Sequence, residues 1–116
     1  MRRFAIVAAV LAAVTLVAGC NDDTSGSTTG TKSIDITFQG DTVTPNGERI
    51  TVKAGQPIEL VVKADKAGEI HVHSSPEQEL EYGVGTTTLK LTIDRPGIVE
   101  VESHSLEKTI LQLEVQ

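Results

Sequence analysis

The chain has 116 residues, with 10 Lys and Arg against 16 Asp and Glu, a formal charge of −6. That length holds one small domain and excludes paired catalytic domains, a doubly wound nucleotide-binding fold and a long solenoid. The acidic balance and an aromatic share of 3% argue against a nucleic-acid partner, which needs Lys and Arg for phosphates and flat rings for stacking.

At the start, Met1-Arg2-Arg3 is a positive segment, and Phe4 to Ala18 is an apolar run of the length of a secretory signal. Val17-Ala18-Gly19-Cys20 then resembles the bacterial lipobox, which is cut before its Cys. The resemblance implies a diacylglyceryl group on Cys20, export, and attachment to the bacterial membrane on its extracytoplasmic side. Two or three acyl chains suffice for such anchoring. As the single Cys, Cys20 has no partner for an intramolecular disulfide. Asn21 to Ser33 is small, polar and free of apolar residues, the composition of a flexible tether. The expected division is therefore a signal peptide over 1–19, lipidated Cys20 and tether over 20–33, and one domain over 34–116. Removing Arg2 and Arg3 with the leader leaves 8 Lys and Arg against 16 Asp and Glu, a net −8.

Beyond the tether the apolar period is two, which predicts half-buried strands. In chain order the alternating runs centre on Ile34-Ile36-Phe38, Ile50-Val52, Ile58-Leu60-Val62, Ile70-Val72, Leu89-Leu91-Ile93, Val99-Val101 and Leu111-Leu113-Val115. Turn signals separate them: Pro45-Asn46-Gly47, Ala54-Gly55-Gln56-Pro57, Asp65 to Gly68, Gly83-Val84-Gly85 and Arg95-Pro96-Gly97. One helical turn is expected near Pro76 to Leu80. The pattern predicts an all-β sandwich or barrel.

The segment from Thr44 to Gln116 resembles the cupredoxin-like proteins. Ile50 to Leu60 is similar to the family's opening strand, Gly turn and second strand. Glu69-Ile70-His71-Val72-His73-Ser74 is similar to the strand that delivers its first copper histidine. Gly85 to Ile93, Asp94-Arg95-Pro96-Gly97-Ile98-Val99 and Ile110 to Val115 are similar to its closing strands and Pro-Gly corner. More narrowly, the chain is similar to small exported domains that stand alone or accompany ferrous-iron uptake proteins. The resemblance implies a Greek-key β-sandwich of about 7–8 strands. It also implies a copper-ligating Cys at the slot that, counted from Gly97, holds Ser103. A hydroxyl cannot replace the thiolate of a blue-copper site, so electron transfer of that type is not expected.

Three histidines remain, His71, His73 and His104. His71 and His73 share a strand face with Glu69, and His104 shares one with Glu100 and Glu102. By the resemblance, His73 matches the first copper ligand and His104 would lie beside it at one end of the sandwich. Imidazoles with a carboxylate suit Cu(II), Zn(II) or Fe(II). The expected ligand set is His71, His73 and His104 with Glu102 as a fourth member, taking copper first and iron or zinc next. Strand parity opposes this arrangement, because Ser103 would face inward with Val99 and Val101 and His104 outward. The alternative is a metal-free sandwich that binds an envelope protein. Neither Ser103-His104 nor Glu77 with Glu79 has the arrangement of a nucleophile or an acid–base pair. A monomeric binding module is expected, and no enzyme.

Overall fold

The computed structural model describes residues 30–116; the expected signal peptide and Cys20 lie outside them. Alternation of buried and exposed side chains accounts for most of the elements. In β1 (Lys32–Gln39), Ile34, Ile36 and Phe38 are buried while Ser33, Asp35 and Thr37 are exposed. β2 (Thr42–Thr44) and β3 (Glu48–Val52) follow, then β4 (Ile58–Ala64), which buries Ile58, Leu60, Val62 and Ala64. β5 (Gly68–Val72), β6 (Gln78–Tyr82), β7 (Gly85–Leu91), β8 (Gly97–Ser103) and β9 (Lys108–Val115) complete the set.

Nine strands form two sheets among the described residues, in the orders β2-β1-β4-β7 and β3-β9-β8-β5-β6. β1 runs parallel to β4 and β3 parallel to β9, and the other pairs are antiparallel. Apolar faces of both sheets meet in one core that includes Ile36, Leu60, Val72, Val101 and Leu113. The expected all-β sandwich is thus present. The helical turn expected near Pro76 is not: Gln78 to Tyr82 pairs with β5 as an edge strand, with Ile70 opposite Leu80. β2, only three residues long, is likewise an element the alternation did not reveal.

Two local features set the geometry of the second sheet. Between Val101 and Glu102 the β8–β9 register shifts, so that Val101 faces Leu111 but Glu102 faces Thr109. Ile110 is the extra residue of this bulge, and consecutive Ile110 and Leu111 are both fully buried as a result. At the head of β5, Gly68 lies against the Tyr82 ring. A Cβ there would fall on the phenol, 2.7 Å from Cζ. Tyr82 in turn stacks on Phe38 of the other sheet, with centroids 4.8 Å apart and planes at 13°. Burial pushes the Tyr82 phenol up, against a hydrogen bond with Ser105 that lowers it.

Candidate metal centre

The strand period places every histidine on the solvent face of the five-stranded sheet. β5 turns Ile70 and Val72 inward, so Glu69, His71 and His73 point outward. β8 turns Val99, Val101 and Ser103 inward, so Glu100 and Glu102 point outward, and His104 follows them. Antiparallel pairing then fixes who meets whom. His71 stands opposite Glu102 on β8 and opposite Glu79 on β6. One step along, the His104 N–H donates to the Glu69 carbonyl at 3.0 Å. At the other end, the His73 N–H donates to the Glu100 carbonyl at 2.9 Å.

This register decides which rings can approach one another. His104 lies opposite Glu69, four residues from His73 along β5, a separation of roughly 13 Å at strand rise. His71 is its diagonal neighbour, within reach of long side chains. The rings of His71 and His104 stack with centroids 4.8 Å apart and planes at 28°. His71 and His73 are 6.4 Å apart, edge to face. The site expected at one end of the sandwich, with His73 beside His104, is therefore replaced by a cluster on the sheet face with His71 beside His104.

Glu69, His71 and His104 each offer a donor atom, and these atoms all lie within 4.8 Å of one another. The His71 Nε2–H donates to Glu69 Oε1 at 2.6 Å. The side chains of His71 and Glu69 are 20% and 27% exposed, so the pair is partly sheltered while His104 is open to solvent. His73 turns away to Glu102, its Nε2–H donating to Oε2 at 3.0 Å. That hydrogen bond, aided by the charges of Glu102, Glu77 and Glu100, raises the His73 pKa above 6.5 despite slight desolvation. Of the four expected ligands, His71 and His104 converge, and His73 and Glu102 pair with each other. The carboxylate of the cluster is Glu69, whose parity with His71 was visible in the sequence but whose place opposite His104 depends on register.

The chemistry of the donors fits a divalent ion and does not fit a blue-copper site. Two imidazoles and a carboxylate are ordinary ligands for Zn(II), Cu(II) or Fe(II). The slot expected to hold the copper thiolate is filled by Ser103, 1% exposed. Its Oγ accepts the Leu106 N–H at 3.2 Å and lies 3.5 Å from Ser105 Oγ, which ties it into the β8–β9 turn. Across the sheet plane from the histidines, it has none of them on its own side.

Neither a protein-family model nor a curated protein matches the chain. Solved structures do. Auracyanin A, a "blue" copper protein from the green thermophilic photosynthetic bacterium Chloroflexus aurantiacus, aligns at a TM-score of 0.55 and 16% identity, covering 75% of this chain and 100% of that one. The metal-binding domain of the Cu(I)-exporting P-type ATPase of Streptococcus pneumoniae, solved with Cu(I), aligns at 0.56 and 18%, covering 75% and 87%. A reduced auracyanin from Roseiflexus castenholzii aligns at 0.53 and 12%, covering 75% and 98%. The fold is cupredoxin-like, and at these identities the likeness concerns the fold alone.

Proposed function

We propose that this chain is a lipid-anchored, extracytoplasmic module that binds and handles a divalent metal, copper first and iron or zinc next, without blue-copper electron transfer. The observation that carries the reading is the convergence of Glu69, His71 and His104 within 4.8 Å on one sheet face. Donors around one zinc-sized ion lie about 3.4 Å apart, so small side-chain rotations close the set. The copper held by the structural neighbours, among them the Cu(I)-bound ATPase domain, supports the choice of metal class. The leader, Cys20 and the polar tether support export and anchoring, and the strand pattern from Thr44 to Gln116 supports a likeness to small exported cupredoxin-like domains that work alone or beside ferrous-iron uptake proteins. The reading assigns no reaction, in keeping with a Ser103 hydroxyl that faces the core while His104 faces solvent.

Calorimetric titration of the full chain with Cu(II), Zn(II) and Fe(II) tests it. One equivalent bound at micromolar affinity or better, lost on His71→Ala with His104→Ala, is the expected result. Weak binding that the double variant shares overturns it and leaves the metal-free interaction module. Affinity falls in acid, because an imidazole must shed its proton before it ligates. Incorporation of a labelled fatty acid in bacteria, abolished by Cys20→Ser, is the expected result for the anchor.

A further inference from the structure

Both ring nitrogens of His71 face carboxylates. Nε2 lies 2.6 Å from Glu69 Oε1 and 3.9 Å from Glu79 Oε1. Nδ1, on the other side of the ring, lies 3.6 Å from Glu77 Oε1. The same Glu77 oxygen is 3.8 Å from His73 Nδ1. Glu77 therefore stands between the two Nδ1 atoms of the His71-Val72-His73 run. These three residues repeat the composition of the first cluster, two imidazoles and one carboxylate. Their two nitrogen–oxygen separations are close to the about 3.4 Å of two donors on one ion, but the His71 and His73 rings stand 6.4 Å apart. Among the described residues only Glu69, His71 and His104 gather three donors within 4.8 Å, so the second set closes only when an ion draws the two rings together.

We propose that a divalent ion on this face has two alternative stations, one on each side of the His71 ring. The first is His71 Nε2 with Glu69 and His104, and the second is His71 Nδ1 with Glu77 and His73. This rests on the metal reading above and adds where the ion goes once bound. The stations exclude each other, because a neutral imidazole has one lone pair and one N–H. An ion at Nε2 leaves the proton on Nδ1, 3.6 Å from Glu77 Oε1, which must close in to accept it. An ion at Nδ1 leaves the proton on Nε2, where Glu69 accepts it. Each carboxylate is thus a ligand in one state and, in the other, the acceptor that holds the required tautomer. Capacity stays at one ion per chain. The stations differ in their carboxylates, Glu77 being 51% exposed and Glu69 27%, while His73 and His104 are both exposed.

The test is Zn(II) and Cu(II) titration of the full chain carrying Cys20→Ser, which keeps the chain unlipidated without leaving a Cys20 thiol to compete. His71→Ala, His73→Ala, His104→Ala and the His73→Ala, His104→Ala pair are compared. All three histidines lie on the solvent face, and unchanged melting of the metal-free variants verifies folding. His73→Ala and His104→Ala are each expected to keep one equivalent with affinity lowered no more than about tenfold, because the ion occupies the remaining station. His71→Ala, and the pair, are expected to lose about a hundredfold or more. Loss of binding on His104→Ala with no effect of His73→Ala overturns the proposal in favour of one fixed site. Two equivalents on the parent chain also overturn it, since the ring is then not shared. No binding by the parent chain overturns the metal reading itself, an outcome distinct from the other two.

Discussion

Ser103 and His104 are neighbours in the chain on opposite sides of a sheet, and that alternation decides what each can do. Ser103 is sealed into the β8–β9 turn by the Leu106 N–H, whereas His104 stacks on His71. Restoring a thiol at this slot is therefore not enough to restore a blue site. Ser103→Cys is expected to give no intense thiolate-to-copper absorption with Cu(II), because the histidines lie across the sheet; a strong visible band would refute this. His73 makes a second prediction. Its pKa is raised above 6.5 chiefly by the Glu102 hydrogen bond, so the native state binds this proton more tightly than the unfolded chain. The pairing then stabilises fully below about pH 6.5 and is lost as pH rises through the native pKa. Histidine proton resonances of the metal-free chain should give His73 a midpoint above 6.5, and Glu102→Gln should lower it. The same variant should cost more stability at about pH 5 than at about pH 9, below and above the ordinary imidazole value.

Among the elements, most strands were legible from their alternation, and β2 and β6 were not. β1, β4 and β9 announce themselves because each second residue is apolar and enters the core. β6 alternates too, but its central Leu80 is only partly buried and Pro76 precedes it, which reads as a helical turn until β5 is there to pair with it. The candidate site shares this division. Parity put Glu69, His71 and His73 on one face and Glu102 and His104 on another, both of which proved to be the same solvent face. Which histidine meets His104 depends on the β5–β8 register, and pairing between strands distant in sequence is invisible to a local pattern. Core elements give measurable consequences. Leu113, fully buried on β9, should cost about 2–5 kcal/mol on Leu113→Ala. Gly68→Ala should cost about 1–3 kcal/mol through overpacking, because its Cβ meets the Tyr82 ring. Denaturant unfolding measures both, and a neutral Gly68→Ala would show that β5 and β6 shift freely apart.

For the molecule as a whole, acidic charge is in excess. Among the described residues every ion pair joins a histidine to a glutamate, while the chain carries a net −6. This excess of one sign makes self-repulsion oppose the compact state, and salt screens it. The melting temperature of the metal-free chain should rise between about 0.01 M and about 0.5 M NaCl, as the screening length contracts; a fall would point to attractive pairs beyond those found among the described residues. Finally, the chain has one tyrosine and no tryptophan. Tyr82 is buried, stacked on Phe38 and braced against Gly68 at the root of the strand that bears Glu69 and His71. With no indole to drain its excited state, its ultraviolet emission comes from a single known position. The protein thus contains its own optical gauge, in which Zn(II) alters the light only by moving β5, whereas Cu(II) dims it through proximity.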